Sequence, residues 1–198
     1  MRRLPLAFVV VATAAFAQDE SDKYFHVQSG MHFPESVGAF HRTRVNRFNQ
    51  QGSDMGVDYA LKTQDGNDYV TVFIYPAAAQ WRPGEDDDRV YDPIEKSMMC
   101  KQELEFRQAE LLKIHTESSL GPVKTVDIEQ NGSTQHGSRL KFAAMSKAGS
   151  AGGVRKEEFD LFCFATELWT ISYRFTYDDY AGADADIAQF MRDLKWPQ

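Results

Sequence analysis

Between Met55 and Tyr75 the chain spells out two arms of a hairpin. Met55, Val57, Tyr59 and Leu61 alternate with Gly56, Asp58 and Ala60, the two-residue period of a half-buried strand. Tyr69 to Tyr75 is a run of β-branched and aromatic residues that Pro76 ends. Asp65-Gly66 lies between the arms and is a turn pair suited to a tight hairpin. The pattern recurs: Val123–Glu129 and Ser138–Met145 flank Asn131-Gly132, and Val154–Ala165 is followed at once by Leu168–Tyr177. Phe40–Phe48 reads as a further strand, entered through a bend over 33–40 that carries Pro34 and Gly38. Strands that follow one another through short turns pair antiparallel.

Two segments break the period. Asp92-Pro93-Ile94-Glu95 is a helix start: Asp92 caps, Pro93 suits the first helical position, and Glu95 stands three residues after the cap. This helix is expected to run to about His115. Ile94, Met98, Leu104, Leu111 and Leu112 are expected to face the core, with Cys100 on the flank and Met99 and Phe106 on the opposite side. The second helix spans Ala183–Trp196, where Ile187, Phe190, Met191 and Leu194 form an apolar stripe and Pro197 stops it. The expected fold class is α+β, a single antiparallel sheet with two helices packed on it. One domain is expected over residues 33–198. It is preceded by a flexible segment, 18–32, with an edge strand at Phe25-His26-Val27.

This element order resembles the Mog/PsbP-like fold, including the periplasmic proteins of the DcrB type. Phe33-Pro34 leading into the first strands, and a last strand followed by a short helix ending at Leu194 and Trp196, carry the resemblance over about residues 33–196. The stretch Phe33-Pro34-x-x-Val37-Gly38-x-Phe40, with Val72-Phe73-Ile74-Tyr75-Pro76, is also similar to small secreted bacterial proteins. The resemblance implies a binding or chaperone-like module and carries no catalytic residues.

Met1-Arg2-Arg3, the apolar run Leu4–Phe16 and the small-x-small site Ala15-Phe16-Ala17 form an export signal, with cleavage expected after Ala17. The apolar run falls well short of the roughly 20 residues that span a bilayer. The expected location is therefore periplasmic or secreted, with no transmembrane segment after cleavage. The chain carries 22 Lys and Arg against 29 Asp and Glu, a net charge of −7, which argues against a nucleic-acid partner. Its two cysteines, Cys100 and Cys163, are a candidate disulfide in an oxidising compartment. The alternative is two buried thiols that never meet.

Motifs of chemistry are sparse. No Gly-x-Ser-x-Gly, phosphate loop or dinucleotide fingerprint occurs, and the five histidines form no zinc-binding pair. No cofactor is expected. Asp86, Asp87 and Asp88, in the run after Glu85, are candidate calcium ligands, weighed against a solvated loop before a helix. Arg42 and Arg44 are expected to share one face of their strand, where they would hold an anionic partner or block unwanted edge pairing. Trp81, in a loop with Pro83 and Gly84, is a candidate contact residue. The leading expectation is a non-catalytic binding or chaperone-like accessory protein with a protein partner in the cell envelope. The alternatives are an envelope enzyme or calcium-dependent protein with a dispersed site, and a domain whose aromatic stripe from Trp169 to Tyr177 lines a groove for an apolar ligand.

Overall fold

The computed structural model describes residues 23–63, 66–77, 90–114, 119–145, 154–166, 168–178 and 182–197. The expected leader, residues 1–17, lies outside them. Among the described residues the strands are β1 (Lys23–His26), β2 (Met31–Pro34), β3 (Ser36–Val37), β4 (Phe40–Arg47), β5 (Met55–Lys62) and β6 (Asn67–Pro76). There follow α1 (Pro93–Ile114), β7 (Ser119–Leu120), β8 (Lys124–Gln130), β9 (Ser133–Met145), β10 (Val154–Thr166), β11 (Trp169–Asp178) and α2 (Ala183–Asp193).

The α+β class holds, but the single sheet does not. β1 and β2 form a separate two-stranded sheet, and the other nine strands form a large antiparallel one. The small hairpin closes where the Gly30 amide donates to the His26 carbonyl at 2.8 Å, with Gly30 at φ +74°. It is anchored rather than loose: Met31 and Phe33 are fully buried in the main core, and the His26 ring stands edge-on to Trp169. The expected strand at Phe25-His26-Val27 is met in part by β1, which ends at His26; Val27 lies in the turn that follows and is exposed.

In the large sheet the order is β3-β4-β5-β6-β11-β10-β9, with β7 and β8 both on the outer edge of β9. Two local meanders, β3–β6 and β7–β11, meet along one seam where β6 pairs with β11. Gly121-Pro122 separates β7 from β8, since proline has no amide to give the ladder. Asn131 and Gly132 adopt positive φ, the turn that joins β8 to β9.

The two faces of this sheet bury different things. On one face Val57, Tyr59, Val70, Val72, Ile74, Ile171, Tyr173 and Phe175 meet Ile187, Phe190, Met191 and Leu194 of α2. Phe190 stands edge-on to Phe40, Tyr59, Tyr173 and Phe175. The aromatic stripe of β11 is thus filled by α2 and is not an open groove. The chain end is tied down: Gln130 donates to the carbonyls of Met191 and Leu194, and the Trp196 indole donates to the Tyr173 hydroxyl at 2.6 Å. On the other face Leu140, Phe142, Phe159 and Leu161 receive Leu111 of α1.

Candidate functional site

Helix α1 starts as the sequence predicts. The Asp92 carboxylate accepts from the amides of Ile94 and Glu95 at 2.8 and 2.9 Å, and Glu95 accepts from the Asp92 amide at 3.1 Å. This is a complete capping box. Its orientation differs from expectation. Leu111 is buried and Leu104 half-buried, but Ile94, Met98 and Leu112 are exposed, Ile94 by 72% and Met98 by 60%. The cause is a different contact row. Cys100 is disulfide-bonded to Cys163 of β10 with the two Cα atoms 5.6 Å apart. Three residues on, Glu103 is buried and accepts from the Tyr75 hydroxyl at 2.7 Å. Positions 100, 103, 107 and 111 recur at helical spacing. They face the sheet and turn the Ile94–Met98–Leu112 row outward. Lys101 and Glu105, an i,i+4 pair at 3.9 Å, lie beside that row.

A disulfide between these cysteines fits an oxidising, extracytoplasmic compartment. No helix among the described residues is long and apolar enough to cross a membrane.

Charge, unusually, lies under α1. The Arg107 guanidinium donates to Glu103 at 2.8 Å and to Glu110 at 2.9 Å and stacks 5.2 Å from the Tyr75 ring. Burial and the Glu103 carboxylate push the Tyr75 phenol far above its ordinary range, so Tyr75 remains a hydrogen-bond donor. Asp54 is also raised, chiefly by burial. Beside this group a cleft of about 140 Å³ opens between helix and sheet, lined by Phe73, Arg107, Glu110, Leu111, Phe159, Ser172 and Arg174. Arg174 pairs with buried Glu157 at 3.1 Å.

A second charged cluster lies under α2. Glu158 and Asp160 of β10 are fully buried. Arg139 grips both oxygens of Asp160 at 2.8 and 2.6 Å and reaches Glu158 at 2.9 Å. Lys141 bridges Glu158 at 2.7 Å and Asp184 of α2 at 3.1 Å. Burial, outweighing the Arg139 contact, lifts the Asp160 carboxyl to about 6. Desolvation and Glu158 push the Tyr177 phenol up to about 12. These groups close on one another beneath the helix, and the cluster ties α2 to β9 and β10.

The arginines of β4 do not form the expected pair. The register shifts between Arg42 and Arg44, so Arg42 stands opposite Tyr59 and Arg44 opposite Asp58. Tyr59 points to the α2 face and Asp58 to the other, so the bulge sends the two arginines to opposite faces. Arg42 donates to the Phe33 carbonyl at 2.5 Å, and Arg44 pairs with Asp58 at 2.9 Å. Trp81 and the acidic run Asp86, Asp87 and Asp88 lie outside the described residues. Among the described residues no three His, Cys, Asp or Glu side chains converge to hold a metal ion.

Both the outward α1 row and the cleft escaped the sequence reading. The one available signal was Glu103 and Arg107 at i,i+4 around Cys100, a polar row that a bonded cysteine forces inward. No protein-family model matches this chain, and no curated protein is similar to it.

Proposed function

We propose that this chain is a non-catalytic accessory domain of the cell envelope that binds a protein partner through the outer face of α1. In this reading residues 1–17 are removed on export, and the remainder works in the periplasm or outside the cell. The observation that carries it is the exposure of Ile94 and Met98 on a helix fixed by a disulfide and a buried polar contact. A rigid helix that presents apolar side chains is the form a helix-in-groove contact takes, read as i, i+4 anchors. Preorganisation lowers the ordering cost of binding. The mixed charges of Lys101 and Glu105 beside the row favour a partner surface that is apolar at its centre and polar at its rim. The resemblance to Mog/PsbP-like and DcrB-type proteins agrees with a binding module.

The test is site-specific photocrosslinking in the producing cell, with the photoreactive residue at Met98 and, as control, at Glu129 on the far edge of the sheet. One envelope protein captured from Met98 and not from Glu129, and lost in Ile94→Glu, is the expected result. Identical capture from both positions would sink the assignment of this face.

A further inference from the structure

We propose that the partner of α1 is a second copy of this chain, the two helices lying antiparallel about a two-fold axis that passes between Lys101 and Glu105. This rests on the reading of the outer face given above and names the partner that the face takes.

The spacing of the outward residues comes first. Ile94, Met98, Lys101, Glu105, Gln108 and Leu112 follow one another in steps of four, three, four, three and four. Alternating steps of four and three keep a row on one side of a helix and are the spacing of a coiled-coil seam. Five of the six residues are exposed, and Gln108 is half-buried. At about 1.5 Å per residue the row is roughly 27 Å long. The row cannot roll inward to hide, because the disulfide at Cys100 and the Tyr75–Glu103 bond hold the opposite side of the helix on the sheet.

The chemistry of the row decides what covers it. A two-fold contact sets residue i against j and j against i, so a surface pairs with its own copy only if it complements itself. This one does. Its spacing reads the same from either end, so an antiparallel copy sets Ile94 opposite Leu112, Met98 opposite Gln108 and Lys101 opposite Glu105. Each of the two resulting patches has Ile94, Met98 and the second copy's Leu112 at its centre and a Lys101–Glu105 pair at its border. A parallel copy would set Lys101 against Lys101 and Glu105 against Glu105, and like charges in register disfavour that orientation.

Lys101 and Glu105 already meet along their own helix, but at 3.9 Å and with 78% and 62% of their side chains exposed. A pair so exposed contributes little and leaves both charges able to take a second partner. Two such pairs laid head to tail form a square of four charges in which every neighbour is opposite. The net charge of −7 opposes association at long range, an effect screened over about 8 Å at physiological ionic strength. One helix seam is a small interface, so the dimer is a weak one.

The experiment is sedimentation velocity of the disulfide-bonded chain over a concentration series at physiological ionic strength. Wild type is expected to dimerise with a Kd on the order of 10–100 μM. Lys101→Glu and Glu105→Lys each bring like charges together and are expected to weaken the dimer by about tenfold or more. An equimolar mixture of these two variants restores opposite charges across the seam and is expected to dimerise as wild type does. The double variant Lys101→Glu/Glu105→Lys is expected to recover in the same way. Both positions are exposed, so an unchanged melting temperature checks that each variant is folded. A photoreactive residue at Ile94 is expected to attach to the second copy near Leu112. A chain that stays monomeric to roughly 1 mM would overturn the proposal. So would single variants that dimerise as tightly as wild type, or a mixture that dimerises no better than its components. Crosslinking from Met98 separates the two readings: capture of a different envelope protein by a monomeric chain overturns the second copy and keeps the outer face, whereas capture of nothing removes both.

Discussion

Replacing both Cys100 and Cys163 by serine should destabilise the protein by about 4 kcal/mol and loosen one helix selectively. The bond joins residues 63 apart in sequence, and the chain-entropy model gives about 4 kcal/mol for a closed loop of that length. What remains to hold α1 is modest. Among the described side chains of α1, Leu111 is the one buried apolar residue, worth about 2 kcal/mol by transfer. The Tyr75–Glu103 contact adds on the order of 2 kcal/mol, as a hydrogen bond to a charged group. The measurement is urea denaturation of the oxidised protein and of the double variant, combined with hydrogen exchange resolved to residues 93–114. Loss of about 4 kcal/mol, with exchange in α1 accelerated well beyond that of β6, β10 and β11, is the expected outcome. A loss below about 1 kcal/mol, or uniform acceleration over sheet and helix alike, would refute the claim that the disulfide sets the seat of α1.

Three further tests address the interior. Asp160 takes up its proton more readily folded, at about 6, than in the unfolded chain at 3.8. Its contribution is therefore fully present below pH 3.8 and is lost as pH rises through about 6. Across pH 4 to 7 the stability difference between wild type and Asp160→Asn should change by up to about 3 kcal/mol, and parallel pH–stability curves would contradict this. Gly137→Ala would put a Cβ 2.7 Å from the Phe162 ring and 2.8 Å from the Leu161 carbonyl. That ring is itself packed edge-on to Trp196, so a loss of about 1–3 kcal/mol in thermal or urea unfolding is expected. Glu103→Ala strips Arg107 and the Tyr75 hydroxyl of a shared acceptor. It should cost about 2–3 kcal/mol, while Glu103→Gln, which keeps a carbonyl acceptor, should cost less.

The long strands, β4, β5, β6, β8, β9, β10 and β11, were legible from β-rich runs and alternation between turn signals, whereas β2 and β3, within and beside a stretch that reads as a bend over 33–40, and the two-residue β7 are too short to show a period. Asn131-Gly132 and the Asp92 capping box needed nothing beyond their own neighbours. Features set by distant contacts were not. The bulge at Thr43 carries no glycine or proline to announce it, yet it decides which way Arg42 and Arg44 point. The apolar residues of α1 offered a plausible core stripe, but a covalent bond at Cys100 and a polar contact at Glu103 selected the adjacent row. Gly137 looked like any strand glycine, and only the ring lying on it explains the missing side chain. Gly30 and Met31 likewise gave no local sign that the first hairpin would dock into the core. The cleft was invisible for the same reason, since its lining comes from β6, α1, β10 and β11, which only the completed sheet assembles.

The seam between the two meanders governs the order of events during folding. Each meander closes through neighbours in sequence, but Val70 meets Phe175 and Tyr75 meets Thr170 only after most of the intervening chain exists. Such a pairing bears a large loop-closure entropy before it yields any contact, which slows the step. Phe190, which packs on both sides of the seam, comes later still. A chain emerging from its N-terminus therefore cannot bury its core until its last strand and helix arrive. Until then the apolar face of the first meander has no partner to cover it.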